Sequence, residues 1–348
     1  MMKKLNILVP SAGRPTHPSL LKCLRDNGER DVRIVGVDMK ADGIAPNIVD
    51  KFYQVPPRID PTYVETILDI CKKEVIDVYY AIGEEETISA AERKADFDAI
   101  GTSVITPGTA EMLGIITNKC RWHDYLAEKG IPHANYQNIY SLGDIEEAAS
   151  KLGYPAEDIF VKPAVSKGGR GARVITSKDI SEEYFSDRST EPRMSLESFI
   201  DMLGPLKPDK FAPLLMMEYL PGTYYSVDIL SKSGRPYYVI PKIRIEGSAS
   251  NTVVGQVDLN PDTIQLATRV CNTFSFSYLQ NYEMKLNRQQ KPMIYDINPR
   301  GGASLALCAA AGVNIAYYAI KMAAGEEIPR REIKDKVKMI RFYDELYV

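Results

Sequence analysis

Two stretches of this sequence carry residue types that do chemistry. In "YDINPR", residues 295–300, strand alternation points Asp296, Asn298 and Arg300 to one face and Tyr295 and Ile297 to the other. A carboxylate and an amide two residues apart can share a hard cation, and an adjacent arginine can clamp an oxyanion. Upstream, "NYEMKL" and the turn "NRQQKP" complete a hairpin that can bring Glu283 to the same place as a second carboxylate. Magnesium binds through few carboxylates and fills its shell with nucleotide phosphates, which suits so sparse a set. Asp-x-Asn alone is better read as the solvated polar face of a hairpin.

The second stretch is "VKPAVSKGGRGARVIT", residues 161–176, with three glycines and four basic residues between two apolar runs. It lacks the GxxxxGK[ST] form of a Walker loop and leads into a β-rich run rather than a helix. A glycine loop between antiparallel strands can fold over a nucleotide, its bare N–H groups meeting phosphates where side chains would clash. The same composition also makes a mobile hairpin turn. Lys162, on the strand entering the loop, and Lys119, in "TNKCRW", are candidate cations for the same phosphates. Either lysine taken singly is an ordinary solvated charge.

The elements that must position these groups follow from periodicity. "LNILVP", "DVRIVGVDM" and "IDVYYAI" are strands separated by the helical stretches "HPSLLKCLRDNG" and "PTYVETILDICKKEV". Such alternation predicts a parallel sheet with helices on both faces. This opening unit is Rossmann-like without the dinucleotide fingerprint: its first turn, "PSAGRPTHPS", holds one glycine where GxGxxG needs three, which disfavours NAD. Arg14 in that turn is a candidate anion ligand or, equally, part of a solvated loop. Beyond Pro107 the chain predicts two helices parted near Thr117, a helix over "DIEEAASKLG", a strand in "DIFVKPAV", and strand-rich blocks in "FAPLLMMEYLPGTYYSVDILS" and "PYYVIPKIRIEG". The polar stretch from Ser181 to Lys210 is a connection with a short helix near Leu196–Leu203.

Composition narrows the function classes. The 348 residues carry 43 basic and 46 acidic side chains spread along the chain, so no polybasic arm marks a nucleic-acid or membrane-surface protein. Five scattered cysteines (Cys23, Cys71, Cys120, Cys271, Cys308) form neither a CxxC pair nor a zinc-like spacing, and "LNILVP" is too brief for a signal-peptide core; both point to the cytoplasm. The apolar run from Ala303 to Gly325 is interrupted by Gly312, Asn314 and Lys321, which predicts two buried helices with a break at Ala311–Asn314 and no membrane span.

Taken in order, "NK" at 118–119, "FVKP" at 160–163, "SKGGRGA", "MMEYLPGTYYSVDIL" and "IYDINPR" resemble the ATP-grasp superfamily, in its carbamoyl-phosphate-synthase-like and carboxylate–amine ligase branch. The resemblance implies an α/β and α+β fold: a pre-ATP-grasp domain over 1–115, a small lid subdomain with the glycine loop over 116–215, and a large carboxyl-terminal subdomain over 216–348. It implies that Lys119, Lys162 and the loop residues Ser166, Lys167, Gly168, Gly169 and Gly171 meet the phosphates of ATP. Glu218, Tyr219 and Leu220 are then the hinge that frames adenine, and Glu283, Asp296 and Asn298 hold Mg2+, with Mn2+ as a substitute. Arg300 sits near the transferring phosphoryl group, with Lys242 and Arg244 on a basic strand facing phosphate or substrate. There is one departure: relatives read "PGxEYSVD", whereas Tyr224 stands here in place of the glutamate that holds the ribose. A phenol can donate a hydrogen bond but offers no carboxylate acceptor pair. Asp228 is expected to be structural rather than a substitute.

The implied reaction is phosphorylation of a substrate carboxylate by ATP, followed by attack of an amine or ammonia on the acylphosphate. The implied partners are these two small molecules, with a homodimer as an allowed assembly. The alternatives are bicarbonate activation toward carbamoyl phosphate and a nucleotide-binding regulator without turnover.

Overall fold

The computed structural model describes residues 2–166, 168–178, 192–248, 251–342 and 344–348, with Asn251 as backbone only. The amino-terminal unit is a five-stranded parallel sheet of β1 (Leu5–Pro10), β2 (Val32–Asp38), β3 (Lys51–Gln54), β4 (Val78–Tyr79) and β5 (Ser103–Val104), in the order β3-β2-β1-β4-β5. Near-continuous burial along β1 and β2 is what a sheet covered on both faces requires. The short outer strands β3 and β5 are additions to the elements read from the sequence. The order reverses at β1, so the loop after β1 opens at the switch point where α/β sheets take ligands.

A second, smaller sheet contains β6 (Tyr136–Ile139), β7 (Ile159–Pro163), β8 (Arg173–Ile175), β9 (Arg193–Met194) and β10 (Leu214–Glu218), in the order β6-β10-β7-β8-β9. The glycine loop joins the antiparallel pair β7 and β8. The third sheet is built from β11 (Tyr224–Lys232), β12 (Arg235–Ser248), β13 (Asn251–Val257), β14 (Tyr278–Leu286), β15 (Pro292–Asn298) and β16 (Lys338–Ile340), in the order β15-β14-β11-β12-β13-β16. The predicted helical break is present: helices run over Leu305–Ala310 and Ile315–Ala323. Helix Leu196–Leu203 also matches its sequence assignment. Among the described residues no helix is long and apolar enough to cross a membrane.

One core joins the first unit to the third. Leu21 and Leu24 of the helix His17–Arg25 pack in one cluster with Leu305, Leu307 and Ile320. Polar links secure the contact: the Asn314 amide donates to the Cys23 carbonyl at 2.7 Å, and Arg30 bonds the Tyr317 hydroxyl at 2.8 Å and pairs with Glu326 at 2.5 Å. Residues from the first turn and from the loop after β15 are thereby held against each other.

Gly222 lies where the chain leaves the small sheet for the large one. A Cβ there would approach the Leu286 carbonyl oxygen to 2.5 Å, while the Gly222 N–H donates to that same oxygen at 2.9 Å. The neighbour is backbone in the hairpin that carries Glu283, so it cannot move aside cheaply. Gly222→Ala is expected to lower unfolding stability by about 1–3 kcal/mol, the usual cost of overpacking, as read by urea titration.

Candidate active site

One wall of the central cleft comes from the hairpin β14–β15. Glu283 lies directly opposite Asp296, and Asn281 opposite Asn298. Tyr282 and Met284 on one strand, and Ile294 and Ile297 on the other, are buried in the core behind them. The Ile294–Ile297 spacing departs from strict alternation because the register shifts: Glu283 pairs with Asp296 but Met284 with Ile294, so Tyr295 is an extra, bulged residue. Tyr295, expected on the face away from Asp296, therefore lines the cleft with it. The bulge turns two successive residues, rather than alternate ones, toward the site.

The facing wall is Lys162 on β7 together with the start of the helix Lys119–Glu128 and the glycine loop. The Asn118 side chain caps that helix by accepting from the Arg121 N–H at 3.2 Å. The Lys119 N–H donates to the Ala164 carbonyl at 2.8 Å, and its ammonium donates to the Ser166 carbonyl at 2.8 Å, so this lysine holds the loop by both ends. Gly168, Gly169 and Gly171 all have positive φ, and a Cβ on Gly171 would meet the Pro163 ring at 2.7 Å. Lys119, Lys162, Ser166, Gly168, Gly169, Tyr224, Arg244, Glu283, Asp296, Asn298 and Arg300 line one cleft. Lys167 lies outside the described residues.

Sequence reasoning missed Phe160, Tyr295 and Asn281, which line the same cleft. Glu218, Tyr219 and Leu220 border a smaller cavity next to it, which shares Phe160 and Tyr295 with the cleft. The Glu218 carboxylate accepts from the Asn135 N–H at 2.9 Å, which orients the strand end. Asn281 carried a signal, since it sits two residues before Glu283 on the same face of the strand. Phe160 and Tyr295 stand inside "FVKP" and "IYDINPR", but as aromatic residues they gave no ligand signal of their own.

The electrostatics are those of an anion pair awaiting cations. Burial first, then the charge of Asp296 opposite, pushes the Glu283 carboxyl above its ordinary range. Lys162 is 4% exposed; its ammonium donates to the Tyr295 carbonyl, and burial pushes it down to about 8 against the pull of Asp296. Arg244 lies 3.8 Å over the Tyr224 ring, a cation–π contact, and burial followed by the charge of Glu283 pushes the Tyr224 phenol up. Arg300 donates to the Asn298 side-chain oxygen at 3.2 Å. Two carboxylates, an amide oxygen and flanking lysines form a donor set that fits Mg2+ with a polyphosphate.

Lys242 departs from its expected place facing phosphate. It is 2% exposed and does not border the cleft; its ammonium pairs with the fully buried Asp228 and donates to the Ser304 hydroxyl at 2.8 Å. Asp228 also accepts from the Gly302 N–H at 2.7 Å and the Asn281 amide at 2.9 Å. The strand alternation that sends Arg244 to the cleft should send Lys242 there too, but the buried carboxylate on neighbouring β11 captures the ammonium first. Asp228 is structural, as its position in the strand pattern implied.

Residues 210–344 match a family model described as ATP-grasp in the biosynthetic pathway with Ter operon, and residues 7–105 match a PylC-like amino-terminal domain. The two matched segments lie in that order along the chain, the PylC-like one first. It is 21% identical over 298 residues to the arginine-specific carbamoyl phosphate synthase large chain of Bacillus subtilis (strain 168), covering 81% of this chain and 26% of that one. It thus spans about a quarter of the length of the curated relatives it matches first. Among solved structures, the ADP complex of an N5-carboxyaminoimidazole ribonucleotide synthetase superimposes with a TM-score of 0.70 at 14% identity, covering 97% of this chain and 81% of that one. A biotin carboxylase complex from Campylobacter jejuni gives 0.68 at 16% identity, with 96% and 74% covered. The ATP-grasp fold predicted from motif order is therefore present.

Lys162 provides a test of the ligand-free cleft. Its folded pKa, about 8, lies below the ordinary lysine value of 10.5, so between those values the unfolded chain binds more protons and the group's contribution to stability rises with pH. Below about pH 8 its burial cost is fully present. Unfolding titrations at pH 7 and pH 10 are expected to show Lys162→Met gaining stability over the parent at pH 7, with the advantage shrinking at pH 10.

Proposed function

We propose that this chain is an ATP-dependent carboxylate–amine ligase: it activates a carboxylate as an acylphosphate and joins it to an amine or ammonia, releasing ADP and phosphate. The observation that carries this reading is the convergence of Glu283, Asp296 and Asn298 on one side of a cleft with Lys119, Lys162 and the glycine loop on the other. In this reading Glu218, Tyr219 and Leu220, beside the cleft, frame adenine, and the two lysines and loop N–H groups take the phosphates. Glu283, Asp296 and Asn298 would hold Mg2+, or Mn2+ in its place, which when bound neutralises phosphoryl charge. The division into units over 1–115, 116–215 and 216–348 belongs to the same proposal, with the small sheet extended by β10 to Glu218.

The chain's own groups have separable tasks. Arg300 stands at the mouth of the cleft, where its guanidinium offers paired donors to the phosphoryl oxygens or to the attacking carboxylate. Lys242 acts at one remove. By pairing with Asp228, which also holds the Gly302 N–H, and by bonding Ser304, it fixes the loop that carries Arg300. An acylphosphate is lost to water unless the cleft closes, and the glycine loop between β7 and β8 is the segment whose bare backbone permits closure over the phosphates. Tyr224, in the place where relatives carry glutamate, lies against Arg244 and Glu283, so a ribose would meet a phenol and a guanidinium there instead of a carboxylate.

A screen for ADP release across carboxylates crossed with amines, with magnesium, tests the reading; no ADP with any pair and no magnesium-dependent nucleotide binding would refute it. Glu283→Gln is expected to cut turnover at least a hundredfold, on the scale of several kcal/mol that charge stabilisation supplies. Because burial and Asp296 already disfavour the ionised form of Glu283, the same variant should unfold at an equal or higher temperature in metal-free buffer at pH 7. Loss of activity with a lowered melting point would instead mark Glu283 as structural.

A further inference from the structure

A second cavity, of about 260 Å³, lies between the first loop of the parallel sheet and the loop after β15, and Arg300 borders both it and the nucleotide cleft. Its walls between the polar groups are apolar, with Ile82, Leu279 and Leu305 among them. At the end contributed by the first unit stand Arg14 and His17.

Three observations give this end a ligand-binding character. First, the Arg14 guanidinium makes no hydrogen bond or ion pair among the described residues, although burial disfavours its charge; only its backbone is bonded, to Ser11 and His17. Two carboxylates act on it, and both are committed elsewhere: Glu86, fully buried, accepts from the Gly83 N–H at 2.5 Å and the Ser11 hydroxyl at 2.8 Å and pairs with Arg58 at 3.5 Å, and Glu85 pairs with Arg58 at 3.8 Å. Second, His17 is 3% exposed, and its Nδ1 is buried without a hydrogen-bond partner. Burial, then the charge of Arg14, pushes this imidazole down to about 4, so it is neutral near pH 7 and adds no repulsion toward the guanidinium. A buried polar atom left unpaired is costly, and a ligand atom is the natural partner. Third, the loop is set before any ligand arrives: Ser11 holds a positive φ of 50° under its bond to Glu86, and the Gly13 N–H donates to Asp38 at 3.0 Å.

We propose that this cavity is the site of the carboxylate substrate, and that the substrate is a small molecule with two anionic groups. One carboxylate is presented at Arg300, and a second carboxylate or phosphate is held by Arg14 and His17. The inference rests on the ligase reading, since only that reading makes the Arg300 end the reacting end. Arg14 and Arg300 border the same cavity, and a dianion is selected because one anionic group engaged at Arg300, which already bonds Asn298 and Gly301, leaves the half-buried Arg14 side chain without an anionic partner unless the ligand carries a second.

The test is calorimetric titration of the protein saturated with MgADP. Succinate, glutarate and 3-phosphonopropionate are compared with the chain-matched monoanions butyrate and valerate. At least one dianion is expected to bind tenfold or more tightly than its monoanion. The phosphonate arm separates a phosphate-bearing substrate from a dicarboxylate. Arg14→Met should reduce dianion affinity at least tenfold, to the monoanion level, and Arg14→Lys, which keeps the charge, should lie between. Equal affinity for monoanions and dianions, no binding by any member of the panel, or undiminished dianion binding by Arg14→Met would overturn the inference while leaving the ligase reading standing. Failure of the parent protein to bind MgADP would sink the ligase reading, and this inference with it.

Discussion

Glu283 and Asp296 face each other across two paired strands, half-buried and of like charge, and the rest of the site answers to that arrangement. Burial first, and the repulsion of Asp296 second, raise the proton affinity of Glu283. Cationic neighbours relieve it in part: Arg244 from β12, Arg300 from the loop after β15, and Lys162 from across the cleft. Relief stays incomplete, because Lys162 is itself desolvated and its ammonium is committed to the Tyr295 carbonyl. A divalent ion with a polyphosphate would satisfy both walls at once, giving the carboxylates their cation and the lysines their anion.

Behind this pair lies an ion pair of a different kind. Asp228 and Lys242 are almost wholly excluded from water, and every strong contact they make is internal. Buried pairs contribute little net stability, but they impose geometry, since removal of either partner strands a charge. Here the geometry imposed is that of residues 298–304. Asp228 fixes the Gly302 N–H and the Asn281 amide, Asn281 meets Asn298, and Asn298 accepts from Arg300. Arg300 thus inherits its position from a carboxylate on β11, two strands from β15 in the sheet.

Arg300 also joins two cavities that belong to different units of the fold. The first loop of the parallel sheet reaches it only because the helix His17–Arg25 packs on the two helices after residue 304, within one shared hydrophobic cluster. The two cavities that share Arg300 are thereby coupled through packing rather than through a direct bond between them.

Much of the site was legible in the sequence because it depends on local periodicity. Strand alternation placed Asp296 with Asn298, the hairpin turn brought Glu283 opposite, and the glycines between two apolar runs marked the loop joining β7 and β8. The paired helices around Gly312 were likewise written in short-range spacing. What alternation could not supply was the bulge at Tyr295, which depends on how β14 and β15 register against one another and which turned an expected outward residue into the cleft. Nor could it tell Lys242 from Arg244, two residues of the same face. The difference arises from Asp228 on the neighbouring strand, a contact between residues 14 positions apart in sequence, and from Ser304, 62 positions away. The cavity at Arg14 is more distant still, requiring two units to meet. Local pattern determined which residues exist on each face; only the tertiary structure decided which charge met which, because Coulomb and hydrogen-bond partners are chosen by distance in space and by burial, and neither is encoded in spacing along the chain.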